Sequence, residues 1–409
     1  MRKHAMNRIR LNLLLLIALL SFRISAQTLE ETPYFGTNPG NLSMYHYSPG
    51  NILPGDKCPL VVVLHGCSQS AQLVSEQTGW NRLADTYGFR VLYPQQKASN
   101  NPSMCFNWYR SGDIDRDRGE CASIKQMMEE YRKNFVVDSS RVFITGLSAG
   151  AAMAVVMMAT NPADFRAGAS FAGGPYKAVV NILATASGML GWINRSPEEW
   201  GALVRDANPA YNGPFPQMII YQGKRDIVVN HKSAHELIEQ WTNVYGIDTL
   251  ADDTVKDFAD NVNIRKYIYH DDKGKERLLY YEVKNIGHSL LVNPGNCRDE
   301  GGKMVSFSSD EDFFSTYWTA IDFGLIPRPE ITGKTEIKEG EQDVEYSVPL
   351  NNGSGYSWSY PDDARAVGPE NTNILKLNFG KREGRISVVE NDSAGCYFRY
   401  PSLKVKMKP

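Results

Sequence analysis

The chain has 409 residues, of which 42% are hydrophobic and 22% charged, with a formal net charge of −2. These values exclude a disordered or membrane-spanning chain and leave room for more than one globular domain. A balance so close to neutral gives nucleic acid or an anionic membrane no electrostatic hold as a partner.

The N-terminus reads as an address. Arg2, Lys3, Arg8 and Arg10 precede an apolar run from Leu11 to Phe22, and Ser25-Ala26-Gln27 follows. This order predicts a secretory signal peptide over residues 1–26 and a secreted product, extracellular or periplasmic. The 12-residue run is shorter than the ~20 residues of a bilayer-crossing helix. An uncleaved anchor is the alternative, because Arg23 and Ile24 fit a cleavage site poorly. Six cysteines lie beyond it: Cys58, Cys67, Cys105, Cys121, Cys297 and Cys396. In an exported chain an even count favours disulfides over reactive thiols. All but Cys396 precede the last domain, so either one is free there or one pairs with Cys396. None has the Cys-x-x-Cys spacing of a zinc site, and no metal or organic cofactor is expected.

From there to about Phe323, β-rich runs alternate with helical ones. Leu60 to Leu64 is a continuous apolar run, as in a strand buried on both faces of a parallel sheet. Arg90 to Tyr93, Val142 to Thr145, Ala167 to Phe171 and Met218 to Tyr221 read as further strands. Trp80 to Tyr87, Ile124 to Phe135, Ala149 to Thr160 and Ala234 to Tyr245 read as helices between them. The alternation predicts an α/β sheet covered by helices on both faces. Ile264 to Tyr269 and Leu278 to Val283 flank Asp271-Asp272-Lys273-Gly274, which predicts a hairpin. Ser309 is expected to cap a last helix bearing Phe313, Phe314, Tyr317, Trp318 and Ile321.

Pro327-Arg328-Pro329 marks a change of character. Val344-Tyr346-Val348, Tyr356-Trp358-Tyr360, Leu375-Leu377-Phe379 and Ile386-Val388 each repeat at every second residue. Residues 329–409 are therefore expected to form a small antiparallel β-sandwich, following a domain at 27–328. This segment resembles the PKD-like, immunoglobulin-type modules appended to exported enzymes, through Tyr356-Ser357-Trp358, Leu377-Asn378-Phe379-Gly380 and Asn391 to Cys396. Such a module is expected to bind polysaccharide or a cell surface.

Gly146-Leu147-Ser148-Ala149-Gly150 directly follows one predicted strand and opens a predicted helix. A nucleophile on so sharp a turn brings backbone close on either side, where side chains would clash. The bare Gly-x-Ser-x-Gly pattern is weak, since roughly one chain in ten of this length shows it by chance. Its strand–turn–helix setting and its partners raise it. Asp226 lies just beyond the strand ending at Tyr221, and His288 follows the β-run ending at Val283. Ser148, Asp226 and His288 stand in the Ser…Asp…His order of an α/β-hydrolase. A serine hydroxyl needs a base to become a nucleophile near neutral pH, and His288 is the candidate, oriented by Asp226. Taken singly, Asp226 is an ordinary loop carboxylate and His288 a loop histidine. The backbone N–H groups of Cys67 and Ala149 are the candidate oxyanion donors. His65 is read as a structural residue of the same loop.

The large domain resembles the esterase family that includes poly(3-hydroxybutyrate) depolymerases, feruloyl esterases and acetylxylan esterases. The resemblance runs through residues 38–42, Leu64-His65-Gly66-Cys67, Gly79-Trp80, Leu92-Tyr93-Pro94, Cys105-Phe106-Asn107-Trp108, Thr145 to Gly150 and Ala172-Gly173-Gly174. It implies the α/β-hydrolase fold, serine esterase activity through an acyl-enzyme, an oxyanion N–H at Cys67, and a Cys67–Cys105 disulfide. It also implies an ester-bearing polymer or oligomer as substrate, either a decorated plant polysaccharide or a polyester. Relatives often continue after the catalytic histidine with Trp-Pro, whereas Ser289-Leu290-Leu291-Val292 follows here.

Trp108, Tyr109, Tyr176, Trp192 and Trp200 are expected in loops near the active face, Trp108 being the candidate substrate contact. His231 and His235 have metal-ligand spacing, but a solvated helix face accounts for them better. Trp358 and Tyr360 suit either sugar stacking or sandwich packing, and packing fits their strand spacing. Two rival functions remain: a peptidase or thioesterase on the same fold, and a non-catalytic polymer-binding or adhesion protein.

Overall fold

In the computed structural model residues 28–408 are described, so the expected signal peptide lies outside them. Ten strands form one sheet: β1 (Glu30–Thr32), β2 (Ser43–Tyr47), β3 (Cys58–Leu64), β4 (Arg90–Gln95), β5 (Val137–Leu147), β6 (Ala167–Phe171), β7 (Gln217–Gly223), β8 (Asp253–Val255), β9 (Ile264–His270) and β10 (Glu276–Val283). Their order is β1-β2-β4-β3-β5-β6-β7-β10-β9-β8. The six central strands from β4 to β10 run parallel, and antiparallel strands close both edges.

Strand periodicity builds two cores. Val61 and Val63 of β3 join Phe143 and Ile219 on one face, while Leu60, Val62 and Leu64 join Ile144 and Ile220 on the other. Helices α1 (Ala71–Thr78), α2 (Trp80–Tyr87), α3 (Gly119–Asn134), α4 (Ala149–Thr160), α5 (Pro197–Arg205), α6 (Lys232–Tyr245) and α7 (Ser315–Asp322) supply the cover. Every residue of α4 is buried, as its apolar circumference requires. The helix expected from Ile124 begins five residues earlier, at Gly119, and Glu120 in its first turn is buried.

The expectation for Ser309 fails. It lies in strand β12 (Ser308–Asp310), paired in parallel with β11 (Leu290–Val292). Asp312 then takes φ 52°, a reversal no helix tolerates. Helix α7 starts only at Ser315, so Phe313 precedes it, and Ser315 Oγ donates to the Leu291 carbonyl at 2.7 Å.

Beyond residue 329, strands β13 (Thr332–Gly333), β15 (Val344–Ser347), β18 (Ile374–Asn378) and β17 (Arg365–Ala366) form one sheet. Strands β14 (Glu336–Ile337), β21 (Leu403–Met407), β19 (Gly384–Asn391) and β16 (Gly355–Ser359) form the second, and β20 (Tyr397–Arg399) pairs with β19. All pairings are antiparallel except β14 with β21. Tyr356 is buried in this sandwich, whereas Trp358 is partly buried and donates from Nε1 to the Thr372 carbonyl at 2.8 Å. The apolar core of the sandwich is continuous with one core of the large sheet through Phe323, Ile326, Ile331 and Ile337. A Cys297–Cys396 disulfide joins the two regions covalently.

At the same junction Lys266 Nζ lies 2.9 Å from Asp322 Oδ1, with side-chain exposures of 5% and 2%. Tyr281 donates to the other carboxylate oxygen at 2.6 Å. Asp322→Ala strands a buried ammonium, and urea unfolding should register a loss of about 3–5 kcal/mol. Replacing both partners together, Lys266→Met with Asp322→Leu, should recover most of that loss. Equal losses in the single and the double variant would show that the pair does not act as a unit.

Candidate active site

The site begins at the end of β5. That strand ends at Leu147 and α4 begins at Ala149, so Ser148 alone turns the chain, at φ 80° and ψ −110°. Both neighbouring glycines are obligatory. A Cβ on Gly146 would lie 2.4 Å from the Gly150 carbonyl carbon, and one on Gly150 would lie 2.4 Å from the Leu64 carbonyl oxygen. The turn is thus pressed against the end of β3, where the loop His65-Gly66-Cys67 starts. The Ser148 N–H is held by the Phe171 carbonyl at 2.9 Å.

Three side chains predicted from chain order meet here. Ser148 Oγ and His288 Nε2 are 2.8 Å apart, and His288 Nδ1 and Asp226 Oδ2 are 2.8 Å apart. Asp226 is buried, and its Oδ1 accepts the N–H groups of Val228 at 2.9 Å and Val229 at 2.8 Å. Gln222 Nε2 donates to Oδ2 at 3.1 Å. The carboxylate is therefore held from three sides with one oxygen aimed at the imidazole. Such a line can draw a proton from serine to imidazole and stabilise the imidazolium that forms.

Cys67 and Ala149 line the same cavity as Ser148. Ala149 opens α4, where the first N–H groups of a helix have no intrahelical acceptor. The Cys67 loop is fixed by a Cys67–Cys105 disulfide and by the Ser68 N–H donating to the Ser103 carbonyl at 2.8 Å. His65 is buried beneath it. Its Nε2 accepts the Gln96 N–H at 3.0 Å, which leaves Nδ1 to donate to the Gly66 carbonyl at 2.7 Å. Burial pushes its pKa down to about 4. A neutral histidine with both nitrogens engaged is structural, as the sequence suggested.

The cavity measures about 210 Å³, and among the described residues no charged side chain lines it. Trp108, Tyr109, Ala178, Met189 and Val229 line it. The remaining aromatic expectations divide. Tyr176 is buried with its hydroxyl on the Ile114 carbonyl, and Trp192 is exposed. Trp200 is not in a loop: it is buried in α5 and bonds Glu236 through Nε1. His231 precedes α6, and its ring stands 6.1 Å from that of His235. The wall residues Met189 and Ala178 escaped the sequence reading because residues 178–192 show no periodicity. Val229 carried a usable signal, lying three residues beyond Asp226 in the same loop. Phe307 was also missed, and its ring stands edge-on to His288 at 5.9 Å.

The cysteines resolve into two bridges and two thiols. Cys58 and Cys121 are free and buried, so the even count did not mean full pairing. Cys58 accepts from Arg90 at 2.9 Å, and burial pushes the Cys121 thiol up to about 11, which leaves it no nucleophilic role.

Fold and site together are those of an α/β-hydrolase. Residues 42–261 match the Esterase PHB depolymerase family and residues 326–405 a PKD-like domain. The chain is 40% identical over 304 residues to poly(3-hydroxyalkanoate) depolymerase C of Paucimonas lemoignei, covering 74% of this chain and 71% of that protein. It is 31% identical over 283 residues to feruloyl esterase B of Talaromyces stipitatus, covering 68% and 76% respectively. The solved acetyl xylan esterase from Aspergillus awamori superposes with a TM-score of 0.58 at 27% identity, over 64% of this chain and 94% of that one. The chain belongs to the Esterase PHB depolymerase family and is a carboxylic ester hydrolase.

The folded pKa of His65 lies below its unfolded value near 6.5. The unfolded chain therefore binds the extra proton first, and stability present above pH 6.5 is lost as pH falls toward 4. Urea unfolding across that range should show this slope, reduced in His65→Gln. An unchanged slope in the variant would show that His65 is not the linked group.

Proposed function

We propose that Ser148 is the nucleophile of a two-step acyl-enzyme mechanism, with His288 as general base and Asp226 as its orienting carboxylate. The observation that carries this reading is the unbroken Ser148–His288–Asp226 line, with 2.8 Å at each step. Ser148 Oγ attacks the ester carbonyl carbon as His288 Nε2 takes its proton. The N–H groups of Cys67 and Ala149 hold the developing oxyanion. On collapse the ester C–O bond breaks, and His288 returns its proton to the departing alcohol. Water, activated by His288, then attacks the acyl-enzyme and releases the acid. The scheme uses no metal or organic cofactor.

The substrate is an ester in or on a polymer. The named relatives act on a polyhydroxyalkanoate, a feruloyl ester and acetylated xylan, and an uncharged cavity walled by Trp108 and Tyr109 accepts an apolar or aromatic acyl group. We place the catalytic apparatus in residues 27–328 and the β-module in 329–409. Export follows from the N-terminal segment. Two disulfides agree with it, and among the described residues no helix is long and apolar enough to cross a membrane.

The test uses the protein from residue 27 onward on p-nitrophenyl acetate, methyl ferulate, acetylated xylan, 3-hydroxybutyrate oligomers and a peptide anilide. Esters should turn over, the anilide should not, and Ser148→Ala should lower kcat by about 10⁴-fold or more. Turnover of the anilide alone would replace the esterase by a peptidase. Undiminished turnover in Ser148→Ala would end the serine mechanism.

A further inference from the structure

The segment that follows His288 is fastened along its whole length. Arg82 of α2 donates to the carbonyls of Gly295 and Cys297 at 2.6 Å each and to that of Glu300. The β11–β12 pairing closes the segment into a loop, and the Leu290 N–H donates to the Phe307 carbonyl at 2.9 Å. One end of this loop is thus His288 and the other is Phe307, whose ring packs on the imidazole.

The same loop reaches the oxyanion side through two buried glutamines. Gln77 Nε2 donates to the Phe307 carbonyl at 2.9 Å and to Ser308 Oγ at 3.0 Å. Its Oε1 accepts from Gln69 Nε2 at 2.7 Å, and Gln69 Oε1 accepts the Gly66 N–H at 2.8 Å. The loop carrying Cys67 is therefore joined by a polar relay to Phe307, whose ring meets the His288 imidazole.

The outer face of the loop belongs to the C-terminal module. Cys297 is bridged to Cys396. The neighbouring Arg298 guanidinium sits 3.5 Å from the ring centroid of Phe398 and pairs with Glu390 at 3.2 Å. Glu390 is itself built in, its side chain 6% exposed and accepting from Asn351 and Ser354 and from Tyr400 at 2.9 Å. Tyr317 of α7 meets Phe398 edge-on at 6.2 Å. A tethered binding module needs none of this. A flexible linker would suffice to concentrate an enzyme on a polymer.

We propose that the PKD-like module is a brace for the active site: through Cys297–Cys396 and Arg298 it positions the 289–308 loop, and with it His288 and the oxyanion loop. The brace rests on the assignment of His288 as the base. It predicts that the module governs turnover of a small soluble ester, on which polymer binding has no bearing. Cys297, Arg298 and Cys396 act through other residues and are positioning residues.

The experiment uses the full secreted chain with p-nitrophenyl butyrate as probe. Two variants are compared with wild type: Cys297→Ser with Cys396→Ser, and Arg298→Ala with the disulfide intact. Misplacing the base by a fraction of an ångström should lower kcat on the order of tenfold while KM stays within about twofold. Arg298→Lys should recover part of the Arg298→Ala loss. If the double variant does not fold, Arg298→Ala decides alone. A lowered Tm with unchanged kcat, or wild-type turnover of the soluble ester with loss confined to a polymer, would overturn the brace. Activity surviving in Ser148→Ala would instead overturn the serine reading on which it stands.

Discussion

The backbone of Ser148 is the constraint on which the rest depends. A non-glycine residue at φ 80° between a strand and a helix costs on the order of 1–3 kcal/mol, and such strain persists only where the surroundings over-determine it. Here they do. Gly146 and Gly150 remove the side chains that would push strand and helix apart, and the helix is packed on all sides. Because a Cβ on Gly150 would strike the Leu64 and His65 carbonyls, the same close approach locates the end of β3. The loop carrying Cys67 thus springs from a point defined by the Ser148 turn, and the proposed oxyanion donor and attacking oxygen share one frame.

Around that frame the molecule spends buried polar groups rather than apolar ones. His65 with Gln96, Gln69 with Gln77, and Gln222 with Asp226 each lie in the interior and each finds hydrogen-bond partners. Such groups give little net stability, but a displaced partner leaves an unsatisfied donor or acceptor at a cost of about 1–3 kcal/mol. They make the loops specific in position rather than merely stable. The apolar cavity beside them is the proposed seat of the acyl group, so in this reading positioning and binding are handled by different chemistry. The C-terminal sandwich belongs to the positioning side, sharing a core with the large sheet and a covalent bridge with the loop after His288.

The parallel strands and the turn at Ser148 were legible because their signals are local. A β-branched run and a glycine-flanked serine before an all-apolar helix each stand out within a few residues, whereas Asp226 and His288 stood out only through their order after that serine. Sandwich strands β15, β16, β18 and β19 were legible for the same reason, through their two-residue period. What escaped depends on distant partners. Ser309 has the composition of a helix cap, yet pairing with Leu291 draws it into a strand. Strand β2, paired with both β1 and β4, and helix α1 were not read from the sequence. Helix α5 did announce itself, through a Ser196–Glu199 capping box with Pro197 at its first turn, and that signal outranks the loop setting assumed for Trp200. The cavity walls at Ala178 and Met189 come from an aperiodic segment, and the Cys297–Cys396 bridge required the placement of two domains.

The central claim is that one serine, activated by one histidine, performs the chemistry. The most direct measurement treats the full secreted chain with diethyl p-nitrophenyl phosphate and maps the adduct by peptide mass spectrometry. The account predicts a single phosphorylated peptide bearing the label on Ser148, formed in step with loss of ester hydrolysis and slowed in His288→Ala. A label on another residue with activity lost, or full inhibition without any adduct on Ser148, would contradict it.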